Sequence, residues 1–232
     1  TTWHIPVHSK HFQVAPNISF AFGKSYNVNK GKYITLVGLD TYRYANRLAS
    51  FPISASFVKD LKQKIQFIKL IKGLGLENIQ IRPYPNSEGW SSTEKYIDEF
   101  GEEVISKANS IKQDLMQSKV VICTYPQTTF FEAMHFGVPT MLLYVENLWE
   151  LNDSFLRLFA EMKRVGIFHG NAESAASHLN AINEDPLKWW NDSETKKVRQ
   201  LFGSVCGRPS KDKSLEIFLK KVLDKTQTSN VT

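Results

Sequence analysis

The chain has 232 residues, with 29 Lys and Arg against 23 Asp and Glu for a net charge of +6. With 42% hydrophobic and 22% charged residues its composition excludes wholesale disorder, and this length buries roughly 70–75% of the unfolded surface. The longest apolar run, residues 137–145, contains a proline and falls far short of the ~20 residues a membrane span needs. Cys123 and Cys206 are too few for a disulfide scaffold and lack metal-ligand spacing, and no basic-then-apolar leader opens the sequence. The expectation is a reduced, soluble, cytoplasmic protein.

Residues 1–31 carry His4, His8 and His11, two prolines and a polar stretch, and read as an irregular lead-in or the remnant of a preceding domain. Residues 33–39 (YITLVGL) are β-branched and apolar, which predicts a buried strand. Phe57, Val58, Leu61, Ile65, Ile68 and Ile71 recur at helical spacing through 54–72, and Gly73 and Gly75 are expected to end that helix with positive φ. Residues 78–82 (NIQIR) predict a second strand, closed by the turn at 83–85. Residues 86–109 give no clear periodicity. A helix over 111–116, a strand over 119–124 (KVVICT), a helix over 129–136 and a strand over 139–144 (PTMLLY) follow. Then come a helix over 152–165, a short strand over 166–169, and helices over 172–183, 194–202 and 213–224. Apolar strands alternating with helices predict a doubly wound, Rossmann-like parallel sheet over 32–225, with a disordered tail at 226–232.

The charge surplus is spread out. Lys59, Lys62, Lys64, Lys69 and Lys72 read as a solvated helix face, or as attraction to nucleotide phosphates or an acidic membrane surface. No alternation of basic and aromatic residues marks a nucleic-acid platform, so nucleic acid is not an expected partner.

In a sheet of this kind ligands sit at the carboxyl ends of the strands. Three junctions are candidates. The first, DTYRYANRL, gathers Asp40, Arg43 and Arg47 with Tyr42 and Tyr44; these either grip a base or phosphate or form a polar loop over the sheet rim. The second, IRPYPNSEGW, puts Arg82 and Tyr84 at a strand end, where the guanidinium either meets an anion or makes a surface salt bridge; Trp90 reads as packing. The third runs through SKVVICTYPQTTFFEAMHFGVPTMLLY. There the helix N-terminus and the hydroxyls of Thr128 and Thr129 make a phosphate cradle, and Glu132 is placed to accept from ribose hydroxyls. Thr129-x-x-Glu132 is equally a capping box that needs no ligand.

Beyond these, His169 at a strand end either bonds to a phosphate or sugar or is a satisfied structural imidazole, and His178 reads as structural. Trp189 and Trp190 are expected to anchor the last helices. Glu146, Trp149 and Glu150 follow the strand ending at Tyr144 and are expected to rim the same cleft. No activating group adjoins either cysteine.

TTFFEAMHFGVPTM resembles the segment [S/T]-x-x-E-A-x-x-x-G-x-P of the donor-nucleotide-binding, carboxyl-terminal half of GT-B glycosyltransferases. The blocks RYANRLASFPIS, IRPYPNSEGW, ICTYPQTTFFEA, VGIFHGNAESAASHLN and the Trp189–Trp190 pair resemble, in the same order, a family of transferases encoded in O-antigen and other surface-polysaccharide loci. The resemblance implies a nucleotide-sugar donor and a glycan or lipid-linked acceptor, with phosphate and nucleotide contacts from Arg43, Arg82, Thr128, Thr129, Glu132 and His169. Asp40, Tyr84, Glu146 and Glu150 would line the donor-sugar cleft. A more distant likeness to CMP-sugar-using sialyl and Kdo transferases suggests CMP or UDP as the carrier, with Tyr84 where those proteins have a histidine. Longer members place another domain first, so the chain resembles the donor half of a two-domain enzyme. No Asp-x-Asp is present, and neither a cofactor nor a metal is expected. No catalytic base is singled out among Asp40, Glu88 and Glu150. Non-catalytic nucleotide binding and nucleotide-sugar epimerisation remain alternative readings.

Overall fold

The computed structural model describes residues 31–43, 55–86, 88–145, 148 and 151–206. Five strands, β1 (Tyr33–Val37), β2 (Ile79–Arg82), β3 (Ser118–Cys123), β4 (Thr140–Leu143) and β5 (Phe168–His169), form one parallel sheet in the order β2-β1-β3-β4-β5. Eight α-helices accompany them among the described residues: α1 (Ala55–Gly73), α2 (Ser92–Phe100), α3 (Ile111–Gln117), α4 (Thr128–Phe136), α5 (Asp153–Arg164), α6 (Ala172–Ile182), α7 (Pro186–Asn191) and α8 (Ser193–Cys206). The doubly wound α/β architecture expected from the alternation is present.

Strand alternation explains the two layers. Ile34, Leu36, Val120, Ile122, Met141 and Leu143 point to one face, where they pack with Phe57, Ile68 and Ile71 of α1, Tyr96 of α2 and Ala175 and Leu179 of α6. Val121, Cys123, Leu142 and Tyr144 point to the other, against Phe130 and Met134 of α4, Leu158 and Met162 of α5 and Phe202 of α8. Burying each large apolar side chain contributes roughly 1.5–3 kcal/mol, so the sheet is held from both sides.

Differences from the expected elements are local. Gly73 is the last residue of α1 and stays helical, and only Gly75, two residues on, takes a positive φ of 75°. Residues 86–109, unreadable from periodicity, hold α2 and a 3-10 turn at Glu102–Val104. The tryptophan pair lies on α7, started by Asp185, whose carboxylate accepts from the Lys188 amide, and by Pro186. The expected helix over 213–224, the tail, the lead-in up to residue 30, Arg47, Glu146, Trp149 and Glu150 lie outside the described residues.

After β1 the chain moves outward to β2, then returns to the other side of β1 to build β3. The strand order therefore reverses between β1 and β3, and α1 and α4 pack on opposite faces of the sheet. That is where open α/β sheets bind ligands.

Candidate functional site at the β1–β3 switch point

Val37 and Cys123 are register partners, so the segments beginning at Gly38 and Thr124 leave the sheet side by side. Thr124 is buried, and its hydroxyl donates to the Val37 carbonyl at 2.9 Å, tying the two exits together. On the other flank the Gly38 amide donates to the Arg82 carbonyl at 2.8 Å. A methyl on Gly38 would lie 3.5 Å from that oxygen and 3.8 Å from the Tyr84 amide nitrogen, which places the half-buried Tyr84 at the edge of the crevice.

The α4 wall carries Thr128, Thr129 and Glu132. α4 begins at Thr128, with Gln127 as an extended N-cap residue whose side chain makes no capping bond. Thr129 therefore sits one place inside the helix, and the alternative reading of Thr129 and Glu132 as a capping box is not realised. Four other helices are capped by side chains, Ser110 before α3, Asn152 before α5, Asn171 before α6 and Asp185 before α7, whereas Ser91 before α2, like Gln127 before α4, makes no side-chain cap. At α4 no side chain among the described residues caps the first N–H groups or the positive end of the helix dipole, beside one exposed and one half-buried threonine. Glu132 is half-buried, and among the described residues it has no hydrogen-bond or ion-pair partner. Burial alone raises its pKa above the usual carboxylate value. A half-buried carboxylate without a partner costs stability, and a ligand hydroxyl would relieve that cost.

The β1 wall is built differently. Trp90, buried, donates its indole N–H to the Thr41 carbonyl at 2.8 Å, which makes it the packing residue expected. The Arg43 amide bonds to the Glu88 carbonyl, and its guanidinium donates to Gly89 O at 3.1 Å and lies over the Trp90 ring. Arg43 is thus engaged with the loop after β2. Asp40 is half-buried, and burial raises its pKa against the pull of Ser92, Lys64 and Lys95, with Glu88 adding to the rise.

Two expected ligands are occupied within the protein. Arg82 pairs with the fully buried Asp114 at 3.0 Å and donates to the Ala108 carbonyl at 2.7 Å. Its carboxylate partner also accepts from Ser106 at 2.5 Å and from Gln80 at 3.3 Å, so the guanidinium is tied to a buried carboxylate network behind β2. The salt-bridge alternative is realised for Arg82, between a half-buried guanidinium, 26% exposed, and a fully buried carboxylate. His169 is 5% exposed and satisfied at both nitrogens, Nε2 against the Gly166 carbonyl and Nδ1 against the Ser174 hydroxyl, each at 2.9 Å. Since the carbonyl can only accept, Nε2 carries the proton and Nδ1 accepts from Ser174. Burial, with His178 nearby, lowers its pKa to about 4, so the ring is neutral at pH 7. His169 is the satisfied imidazole of the alternative reading.

The sequence reading missed Lys64. It stands among the lysines that read as a solvated face, yet it is 2% exposed and donates to the Leu39 carbonyl. The signal was available, since position 64 falls on the Phe57, Leu61, Ile68, Ile71 stripe that α1 buries. Among the described residues no group of three or more His, Cys, Asp or Glu side chains has the geometry of a metal site, and no helix is long and apolar enough to cross a membrane.

No curated protein matches the chain. Among solved structures, that of the wall teichoic acid polymerase TagF, H444N variant, resembles it with a TM-score of 0.44 at 15% identity, over 87% of this chain and 45% of the other. The chain therefore spans less than half the length of that structure. Residues 3–221, nearly the whole sequence, match the LIC12162 family, whose members are described as transferases. The chain belongs to the LIC12162 family of transferases.

Proposed function

We propose that the protein is a glycosyltransferase whose β1–β3 crevice holds the nucleotide of an activated sugar. The observation that carries this reading is Glu132: a half-buried carboxylate without a partner, one turn inside a helix whose N-terminus has no side-chain cap, at the switch point of the sheet. The uncovered amides of α4, with the Thr128 and Thr129 hydroxyls, would receive the donor phosphate. As the bond between sugar and phosphate breaks, negative charge grows on the leaving phosphate, and fixed dipoles already aimed there stabilise it. Glu132 would accept hydrogen bonds from the ribose. The donor is a CMP- or UDP-linked sugar and the acceptor a surface glycan such as O-antigen, as the likeness of the sequence blocks implies, with a preceding domain supplying the acceptor face.

A thermal-shift screen against CMP, UDP, GDP and dTDP, followed by calorimetry, tests the site. Thr129→Ala is expected to weaken binding of the best nucleotide about tenfold, the loss typical of one hydrogen bond to a charged group. Full-strength binding by both Thr129→Ala and Glu132→Gln would remove the nucleotide from this crevice.

A further inference from the structure

The segment after β1 is pinned at each step. Lys64 Nζ donates to the Leu39 carbonyl at 2.9 Å, Trp90 holds the Thr41 carbonyl, and Arg43 is bound through its amide and its guanidinium. Lys64 is itself held by Asp60, one helical turn earlier on α1, at 2.7 Å, and its ammonium lies over the Phe57 ring at 5.4 Å. Phe57 in turn packs on Trp90 with ring centroids 4.6 Å apart. A lysine and an aspartate buried to 2% and 3% exposure are a costly way to hold a loop, since desolvating two charges offsets much of their attraction. An apolar pair at these α1 positions would pack the core as well but would not fix Leu39.

We propose that Lys64, held by Asp60, is a positioning residue of the donor site: by clamping the Leu39 carbonyl it aims the adjacent Asp40 carboxylate at a hydroxyl of the donor's sugar. This rests on the donor-site reading above. Asp40 stands at the carboxyl end of β1 on the side of the crevice opposite α4, so a nucleotide with its phosphate at α4 would turn its sugar toward the β1 loop. The groups that face Asp40 are Lys64 from α1, Ser92, Lys95 and Tyr96 from α2, and Glu88 from the loop before it. Burial raises the Asp40 pKa overall, with Glu88 adding to it, while the Ser92 hydroxyl and the two ammonium groups pull toward the ionised form that accepts a hydroxyl's hydrogen bond.

Calorimetry with UDP-glucose against UDP, and CMP-N-acetylneuraminate against CMP, separates sugar from nucleotide. Asp40→Asn is expected to reduce affinity for the nucleotide sugar about tenfold while leaving the bare nucleotide within twofold. Lys64→Met should reproduce that selective loss, and Lys64→Arg should restore most of it. Because Lys64→Met strands Asp60, the double variant Asp60→Asn with Lys64→Met, which removes both charges, serves as the folded control and should show the same selective loss. A double variant that melts normally and binds nucleotide sugar like the parent overturns the proposal while the donor site stands. A parent that binds none of the four compounds overturns the donor-site reading instead. The clamp is then read separately by carboxyl-carbon NMR of the free protein, where Lys64→Met should raise the Asp40 titration midpoint; an unmoved midpoint would sink it.

Discussion

Two strand-to-helix junctions, β3–α4 and β5–α6, look alike in sequence: each strand runs into a polar turn, hydroxyl residues and an acid within the first turns of a helix. Their chemistry differs. At β5–α6 the Asn171 side chain accepts the Ser174 amide at 2.8 Å, Gln63 reaches across from α1 to accept the Ala172 amide at 2.9 Å, and Ser174 and Gly166 satisfy His169. At β3–α4 no side chain caps the helix, and Glu132 has no partner among the described residues. The β5–α6 junction has used its polar groups to hold the fold; the β3–α4 junction spends Thr124 on β1 but leaves Glu132 without a partner among the described residues. A strand end with suitable residues is therefore a site only when its donors and acceptors are not already spent inside the protein.

The largest effect expected sharpens that distinction at a third strand end. Arg82→Ala should cost about 3 kcal/mol of stability in urea unfolding, because it leaves the fully buried Asp114 without its cation. Adding Asp114→Asn should recover part of that loss. A stable Arg82→Ala protein with tenfold weaker nucleotide binding would return Arg82 to the ligand side. Next, Gly166→Ala should cost about 2–3 kcal/mol, since Gly166 has φ 77° and the added methyl would collide with the His178 ring. Its melting temperature should fall while nucleotide affinity, measured below the transition, is unchanged; lost affinity would show that the two junctions are coupled.

Glu132→Gln should behave in the opposite sense, weakening ribonucleotide binding about tenfold without loss of stability. A raised folded-state pKa on an acid means that folding disfavours the ionised form, so the cost is present at pH 7 and fades as pH falls and Glu132 protonates. The variant should therefore melt no lower than the parent at pH 7, and the two should converge in acid. Equal losses for ribo- and deoxyribonucleotides would place the carboxylate away from the 2′-hydroxyl. The smallest effect is the acid response of the satisfied junction. His169 and His135 both have pKa values lowered by burial to about 4. A lowered histidine favours the neutral ring in the fold, so stability is lost as pH drops from about 6.5 toward 4 and levels off below. His169→Gln should flatten part of that slope in melts across this range; an unchanged slope would assign it elsewhere.

Much of the layout was legible because it follows from periodicity. The stripe of Phe57, Leu61, Ile68 and Ile71 marked α1, and the continuous apolar runs at β3 and β4 marked strands buried on both faces. Residues 86–109 were not legible, because α2 is only nine residues long and carries a single buried stripe of Ser92, Tyr96 and Phe100. Within the site, Thr128, Thr129 and Glu132 were found from their place after a strand, but the choice between capping box and open N-terminus turned on a two-residue shift of the N-cap, from Thr129 to Gln127. Arg82 misled for a physical reason: Asp114 lies 32 positions away, and nothing local in the sequence announces that α3 will bring it under β2.

The sequence by itself determined the elements, their alternation and hence a parallel sheet covered on both faces, because apolar spacing is a local property that burial reads directly. It also determined which strand ends carry reactive side chains. The tertiary structure alone decided which of those side chains are free to meet a ligand. Hydrogen bonds and ion pairs such as Arg82 with Asp114, His169 with Ser174 and Gly166, and Lys64 with Leu39 depend on where distant segments or loop turns bring a partner within about 3 Å. No pattern along the chain encodes that distance.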